Sequence, residues 1–458
     1  MRIYFSGIGG VGLGPLAEIA LDAGYDVRGS DPVVGLMVRQ LESRGVEISK
    51  DQSGEFLRRQ HESAPIDWFV YTSALPADHS ELVLARELGI RCGKRDELLA
   101  HIIAEKNLKL IAIAGTHGKT TTTGMMVWTL RNLGVPVSYS VGTTLSWGPS
   151  GAFDPKSEYF VYECDEFDRN FLHFHPYLAL ITAIEHDHPD TYPTSEEYFE
   201  AFSQFAAQSQ QVITWHDQAK NITLPENSWV LSDDEVQDIK LAGAHNRRNA
   251  TLVAKGIEWL EMQDKRVTMN GAAPTFDKIS DFSKEGTNSS AGPALSGGEE
   301  KDGGAVSGSA QAILASFPGT NRRFEKLADN LYTDYGHTPT EIAATLQMAR
   351  ELAGHVVLAY QPHQNVRQHE IRDQYTDEIF ADADEVYWLP TYLSREDPEL
   401  AILLPEELTK HLDSSKIHLA EMNDDLWKTI AKARESGTLV LCMGAGTIDG
   451  WVRDELTE

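Results

Sequence analysis

Short apolar runs alternate with stretches in which apolar residues recur at helical spacing. Runs at residues 2–6, 25–29 and 66–72 read as strands of a first unit. Runs at 108–114, 159–162 and 177–183 begin a second, and runs at 330–333, 355–360, 384–389 and 438–443 a third. Helical patterns follow at about 15–23, 96–104, after Thr120, up to 260 and up to 352. Strands that alternate with helices build mainly parallel sheets covered on both faces, so the pattern predicts an α/β fold. Residues 267–310 break the pattern with Gly, Ser, Ala and acidic residues. Such a stretch buries too little apolar surface to offset its ordering entropy, and it reads as a mobile surface insertion. The pattern therefore predicts three domains, at 1–106, 107–317 and 318–458, with the insertion inside the second.

Length agrees, because 458 residues exceed one core. A net charge of −29 argues against a nucleic-acid partner, whose phosphates need Lys and Arg. Cys92, Cys164 and Cys442 lie far apart with no C-x-x-C spacing. They read as free thiols of a reducing compartment, and they offer no zinc site. No secretory signal opens the chain, and no apolar run approaches the roughly 20 residues that span a bilayer. The expectation is a cytoplasmic protein without membrane insertion, a monomer or homodimer.

The second unit carries the clearest chemistry. Its first apolar run leads into Gly115-Thr116-His117-Gly118-Lys119-Thr120-Thr121 and a helix. Strand, glycine turn, Gly-Lys-Thr and helix make a phosphate-binding loop: backbone N–H groups and the helix N-terminus face an anion. Lys119 would reach the β/γ-phosphates, and Thr120 would hold Mg²⁺. Glu163 and His188, at the ends of two further strands, are candidate metal ligands and catalytic groups. Asn246 and Asn249 share a helical face after His245, which suits the edge of an adenine. In the first unit Gly7, Gly9, Gly10, Val11 and Gly12 follow a strand, and Asp31 ends the next one. This spacing also fits a dinucleotide-binding domain, so an NAD-dependent oxidoreductase or dinucleotide-binding protein remains an alternative. Ser73 lies in a loop at a strand's carboxyl end, where such sheets take ligands.

AGTHGKTTTT, YECDEFD, AIEHDHPD, HNRRNA, RRF, DYGHTPTEI and GAGTI occur in one order. Together they resemble the Mur ligase family of cell-wall enzymes over nearly the whole chain except 267–310, most closely its alanine-adding branch. The resemblance implies a Rossmann-like first domain for a UDP-sugar, a central ATPase, and a Rossmann-like third domain for the incoming amino acid. It implies ATP and two Mg²⁺ ions, with Mn²⁺ an alternative, and UDP-N-acetylmuramate and L-alanine as substrates in peptidoglycan synthesis. It assigns Lys119 and Thr120 to phosphate and metal, Glu163 and His188 to metal, and Asn246 and Asn249 to adenine. Arg323 then belongs to phosphate, Asp334 to ribose, and Tyr335, His337 and Arg367 to the amino-acid site. Gly9, Gly10, Val11, Gly12, Asp31 and Ser73 would face the UDP-sugar.

Several positions depart from the family pattern. YGHTPT stands for YAHHPT, bringing Gly336 and Thr338, and Gln364 replaces an arginine after QPH. Residues 32–40 lack the usual hydroxyls. No lysine lies between Lys156 and Lys220, so the carbamylated lysine of sister ligases has no counterpart. A recycling ligase that adds a preformed peptide is the alternative within the family.

Overall fold

The computed structural model describes residues 1–72, 75–188, 191–264, 267, 310–394 and 396–457. The first sheet holds β1 (Arg2–Ser6), β2 (Asp26–Ser30), β3 (Glu47–Ser49), β4 (Trp68–Tyr71) and β5 (Arg91–Lys94). Its order is β3-β2-β1-β4-β5, parallel throughout. The chain starts mid-sheet, builds outward, then returns to the other side of β1. That reversal opens a crevice at the strands' carboxyl ends, where the glycine loop after β1 lies.

The second sheet contains β6 (Lys109–Ala114), β7 (Val137–Ser140), β8 (Gly151–Ala152), β9 (Tyr159–Glu163), β10 (Leu178–Ile181), β11 (Val212–Trp215) and β12 (Trp229–Leu231). Its order is β12-β11-β10-β6-β9-β7-β8, and only the β7–β8 pair is antiparallel. β6 sits centrally between β10 and β9, so the loop after it opens at the sheet's own point of reversal. The third sheet holds β13 (Glu325–Ala328), β14 (Leu331–Asp334), β15 (Val356–Tyr360), β16 (Glu385–Trp388), β17 (Ile417–Leu419) and β18 (Leu439–Met443). Its order is β13-β14-β18-β15-β16-β17, antiparallel only at β13–β14.

Central strands such as β6, β10, β15 and β18 are buried along almost their whole length, as continuous apolar runs require when helices cover both faces. The edge strands β12, β13 and β17 are half-exposed and lack such a run, so apolar patterning passes over them. Six helices position functional residues: α1 (Leu13–Asp22), α2 (Arg95–Glu105), α3 (Lys119–Asn132), α4 (Ala244–Gln263), α5 (Pro339–Leu352) and α6 (Asn365–Ile371). α1 starts two residues before the position that patterning gives. Pro15 fits its first turn, where a missing N–H leaves nothing unpaired. Inside α3, Thr123 and Thr129 donate to the carbonyls of Lys119 and Met125 at 2.8 and 2.7 Å, which satisfies hydroxyls in an otherwise apolar setting.

The expected insertion lies outside the described residues except at its ends. Those ends correct its limits: Val267 is fully buried in the second sheet's core, and Ala310 starts a short helix, Ala310–Ala315. The expected break near residue 106 is not a break in the core. One apolar cluster runs from Ile3 and Phe5 through Leu98 and Ile102 to Phe160 and Tyr162. The third sheet has separate clusters of its own.

Candidate active site

The loop between β6 and α3 takes its shape from glycine. Gly115 and Gly118 have φ of 136° and 84°, values that side chains with a Cβ avoid. The loop is pinned from behind: the Thr116 N–H donates to the Ala183 carbonyl at 2.6 Å, and its hydroxyl to the Glu185 carbonyl at 2.7 Å. Asn249 lies directly over Gly118, where a Cβ would come within 3.1 Å of its amide. The Thr120 hydroxyl donates to Glu163 at 2.8 Å, and Glu163 also accepts the Gly142 N–H at 2.8 Å. Thr121 is half-buried in the first turn of α3.

Lys119 is not the exposed loop lysine that a phosphate loop suggests. Only 15% of its side chain is accessible, and its Nζ donates to Glu166 at 2.8 and 3.1 Å. Burial works against the ammonium, and the carboxylates of Glu166, Asp165 and Glu163 together outweigh it, raising the lysine above its ordinary range. Glu166 escapes patterning because it lies beyond the strand end, one of several acidic residues in a row. It also meets His188, whose Nε2 lies 3.7 Å away. Asp165, Glu166 and His188 present ligand atoms within 4.8 Å of one another. The expected pair, Glu163 and His188, is not that group: Glu163 sits instead with Thr120.

One cleft of about 520 Å³ joins the second and third sheets. From one side come residues 116–120, Glu163, Asp165, Glu166, Asp187 and His188; from the other Arg323, Tyr335, His337, Gln364 and Arg367. β14 and β15 end here, so their loops face the phosphate loop. Arg367 lies 3.4 Å from Asp187 across the cleft. His117 makes a second link. It meets Glu185 at 3.0 Å and Glu341 of α5 at 3.4 Å. Burial opposes its protonation, but the two carboxylates raise it to about 9. His337 is half-buried, and desolvation lowers it.

Other expected contacts are placed differently. Asp334 accepts the N–H of Phe324 and of Gly336, both at 2.7 Å, and burial raises it to about 6. One oxygen therefore holds the turn after β14, and the other ties the segment before β13 to the end of β14. Asn246 donates to the Ala242 carbonyl at 3.0 Å and contacts Met348 Sδ at 3.2 Å, so its amide faces α5. His245 is half-buried, and desolvation lowers it to about 4. Thr338, an unusual residue for the motif, caps α5 by accepting the Glu341 N–H.

In the first sheet, Asp31 accepts the N–H of Gly9 at 2.8 Å and of Val33 at 2.9 Å. The carboxylate that a dinucleotide site would spend on ribose is thus engaged in tying the glycine loop to the end of β2. Gly10 and Val11 are exposed, and Val11 is 98% so. Arg95 Nη1 lies 3.4 Å from where a Cβ on Gly12 would stand, an arginine at the glycine loop that its motif does not reveal. Ser73 lies outside the described residues.

Residues 2–107, 113–232 and 322–446 match, in order, the Mur ligase family catalytic domain, the Mur ligase middle domain, and the Mur ligase glutamate ligase domain. A protein of a Nocardioides species named UDP-N-acetylmuramate–L-alanine ligase is 33% identical, over 98% of this chain and 94% of its own. One of the same name from Paenarthrobacter aurescens is 31% identical over 98% and 95%. A solved structure of a UDP-N-acetylmuramate-alanine ligase from Thermotoga maritima matches the fold with a TM-score of 0.70, at 22% identity, covering 100% of this chain and 98% of its own. Three consecutive domain matches and relatives at this identity along almost its whole length show that the chain belongs to the Mur ligase family.

Proposed function

We propose that the protein joins L-alanine to the lactyl carboxylate of UDP-N-acetylmuramate, using ATP, in peptidoglycan synthesis. The observation that carries this reading is the single cleft with a phosphate loop on one wall and Arg367, His337 and Tyr335 on the other. The relatives' shared name supports it. In this reading residues 1–106 hold the sugar nucleotide, 107–317 the ATP and 318–458 the amino acid. The enzyme works in the cytoplasm.

A carboxylate is a poor electrophile, so its oxygen must first become a leaving group. The substrate carboxylate attacks the γ-phosphorus, the bond to the β–γ bridging oxygen breaks and ADP leaves, giving an acyl phosphate. The amine then attacks the acyl carbon, loses a proton, and phosphate departs with the carbon–oxygen bond's electron pair. The backbone N–H groups of residues 117 and 118 and the N-terminus of α3 cradle the phosphates. Lys119 neutralises charge as it moves between them. Arg367 offers a planar fork to the acceptor's carboxylate, on leaving Asp187. Thr120, Glu163 and His188, with Asp165 and Glu166 at hand, are a hard oxygen-and-imidazole donor set that fits Mg²⁺, which would add charge neutralisation. The third sheet's loops, closed over the phosphate loop, keep water from the acyl phosphate.

Phosphate release from ATP with UDP-N-acetylmuramate tests the reading, scanned over single amino acids and a tripeptide. L-Alanine should be the preferred acceptor. A tripeptide preference would move the chain to the recycling ligases, and NADH binding without nucleotide-sugar binding would overturn the reading.

A further inference from the structure

We infer that Glu166 is a positioning residue that holds Lys119 in the nucleotide-free enzyme and must release it before the lysine can serve a phosphate. This rests on residues 115–120 being the nucleotide site. An ammonium has three donors. Here they go to the Gly115 carbonyl at 2.5 Å, the Thr116 carbonyl at 3.3 Å and Glu166 at 2.8 Å. The lysine is therefore curled back over its own loop, with no donor directed at an incoming anion.

Glu166 is built to stay where it is. Its side chain is 1% exposed. Its carbonyl accepts the Tyr192 hydroxyl at 2.6 Å, and its carboxylate accepts Tyr198 at 3.4 Å. The Tyr198 hydroxyl also meets the Thr116 hydroxyl at 2.7 Å, so one ring joins the carboxylate to the phosphate loop. The chain just beyond it is held in an unusual conformation, with Asp168 and Arg169 at φ of 54° and 58°. The lysine is thus the mobile partner and the carboxylate the fixed one. When Lys119 turns to a phosphate, Glu166 keeps Tyr198 and His188 as neighbours, which limits the cost of losing the ammonium. Two positions for one lysine follow: on Glu166 before the nucleotide binds, and on phosphate afterwards. Glu166 acts through Lys119, without touching substrate.

Calorimetric titration of ADP in the presence of a chelator reads this competition directly, because no metal ion then bridges phosphate and protein. Glu166→Gln removes the charge and keeps the shape, and ADP should bind about tenfold tighter, the scale of one charge-assisted hydrogen bond. In a Lys119→Ala background the same substitution should change ADP affinity by less than twofold, since the partner is gone. Unchanged or weaker ADP binding by a folded Glu166→Gln variant would overturn the inference, as would equal tightening in both backgrounds. Glu166→Asp, with a shorter reach, serves if the glutamine variant does not fold: several-fold tightening is expected, and wild-type affinity would overturn the inference. Wild-type protein that binds no ADP even with Mg²⁺ would instead overturn the reading of the phosphate loop itself.

Discussion

Lys119 and Glu166 are the residues whose chemistry depends most on each other. Lys119→Ala should abolish ligation, because the loop then loses the ammonium that serves the phosphates. It should also destabilise the protein, since Glu166 is left buried without its cation; removing one partner of such a pair costs about 3–5 kcal/mol. Urea unfolding of Lys119→Ala and of Lys119→Ala with Glu166→Gln separates the two effects. The second substitution should restore most of the stability and none of the activity. In the proposed reading Arg367 governs the acceptor. Arg367→Ala should raise the acceptor KM strongly and leave those for ATP and the nucleotide sugar nearly unchanged. Gln364 lines the same cleft, and its backbone sits at φ 61° at the start of α6. Gln364→Arg should lower the acceptor KM by roughly tenfold or more, given about 1.5–3 kcal/mol for a charged hydrogen bond; the backbone strain is common to both residues. Steady-state kinetics with each substrate varied in turn measures both; an unchanged acceptor KM in Arg367→Ala would remove that residue from the acceptor site.

Among the elements, α5 bears the heaviest duty, since it carries Glu341 to the phosphate loop and Met348 and Glu351 to α4. Its start is set locally. Thr338 and Glu341 form a reciprocal cap, with Pro339 at the first helical position. Thr338→Ala should therefore cost about 1 kcal/mol in thermal unfolding. It should also slow turnover, because Glu341 would lose a hydrogen bond that helps orient it toward His117. Thr338→Ser, which keeps the cap, should restore both; a stability loss with full activity would show that the cap and the clasp are independent. At the far end of α5, Arg247 of α4 grips Glu351 through two contacts of 2.8 Å. That hydrogen bonding, chiefly from Arg247, lowers Glu351 to about 2. A depressed carboxylate stabilises above its unfolded value near 4.5, and the contribution is lost as pH falls toward 2. The pair is partly solvated, so about 1 kcal/mol is the expected size.

At the scale of the molecule, the first two sheets share one apolar core, while the third sheet meets the second mainly through polar contacts: His117–Glu341, Arg367–Asp187 and Arg247–Glu351. Interfaces of this kind favour relative motion of the parts they join. His117 is the titrating member at the centre. Its folded value of about 9 lies above an unfolded value near 6.5. The stability it supplies is therefore complete below about pH 6.5 and disappears as pH rises through 9, amounting to about 3 kcal/mol by linkage. Small-angle scattering should show the nucleotide-free protein expanding between pH 8 and 10. His117→Gln should be expanded already at pH 7, and a radius of gyration independent of pH would remove His117 from the clasp.

Much of this protein is legible in its sequence because local rules suffice. Buried central strands are continuous apolar runs, and Gly115, Gly118 and Lys119 need only a strand before them and a helix after them to mark a phosphate site. The motif order suffices for the family, and three sets of alternating strands and helices suffice for the α/β class. Edge strands β13 and β17 are not legible, since half-exposed residues follow no strict period. What the tertiary structure alone decided is partnership. Nothing local pairs Lys119 with Glu166, 47 positions away, or sets His117 between carboxylates from two sheets. Nothing local turns the second oxygen of Asp31 onto the N–H of Gly9, or that of Asp334 onto the N–H of Phe324. Burial and long-range geometry settle those questions: a charge withdrawn from water must find a partner, and only the folded chain determines which one lies within reach.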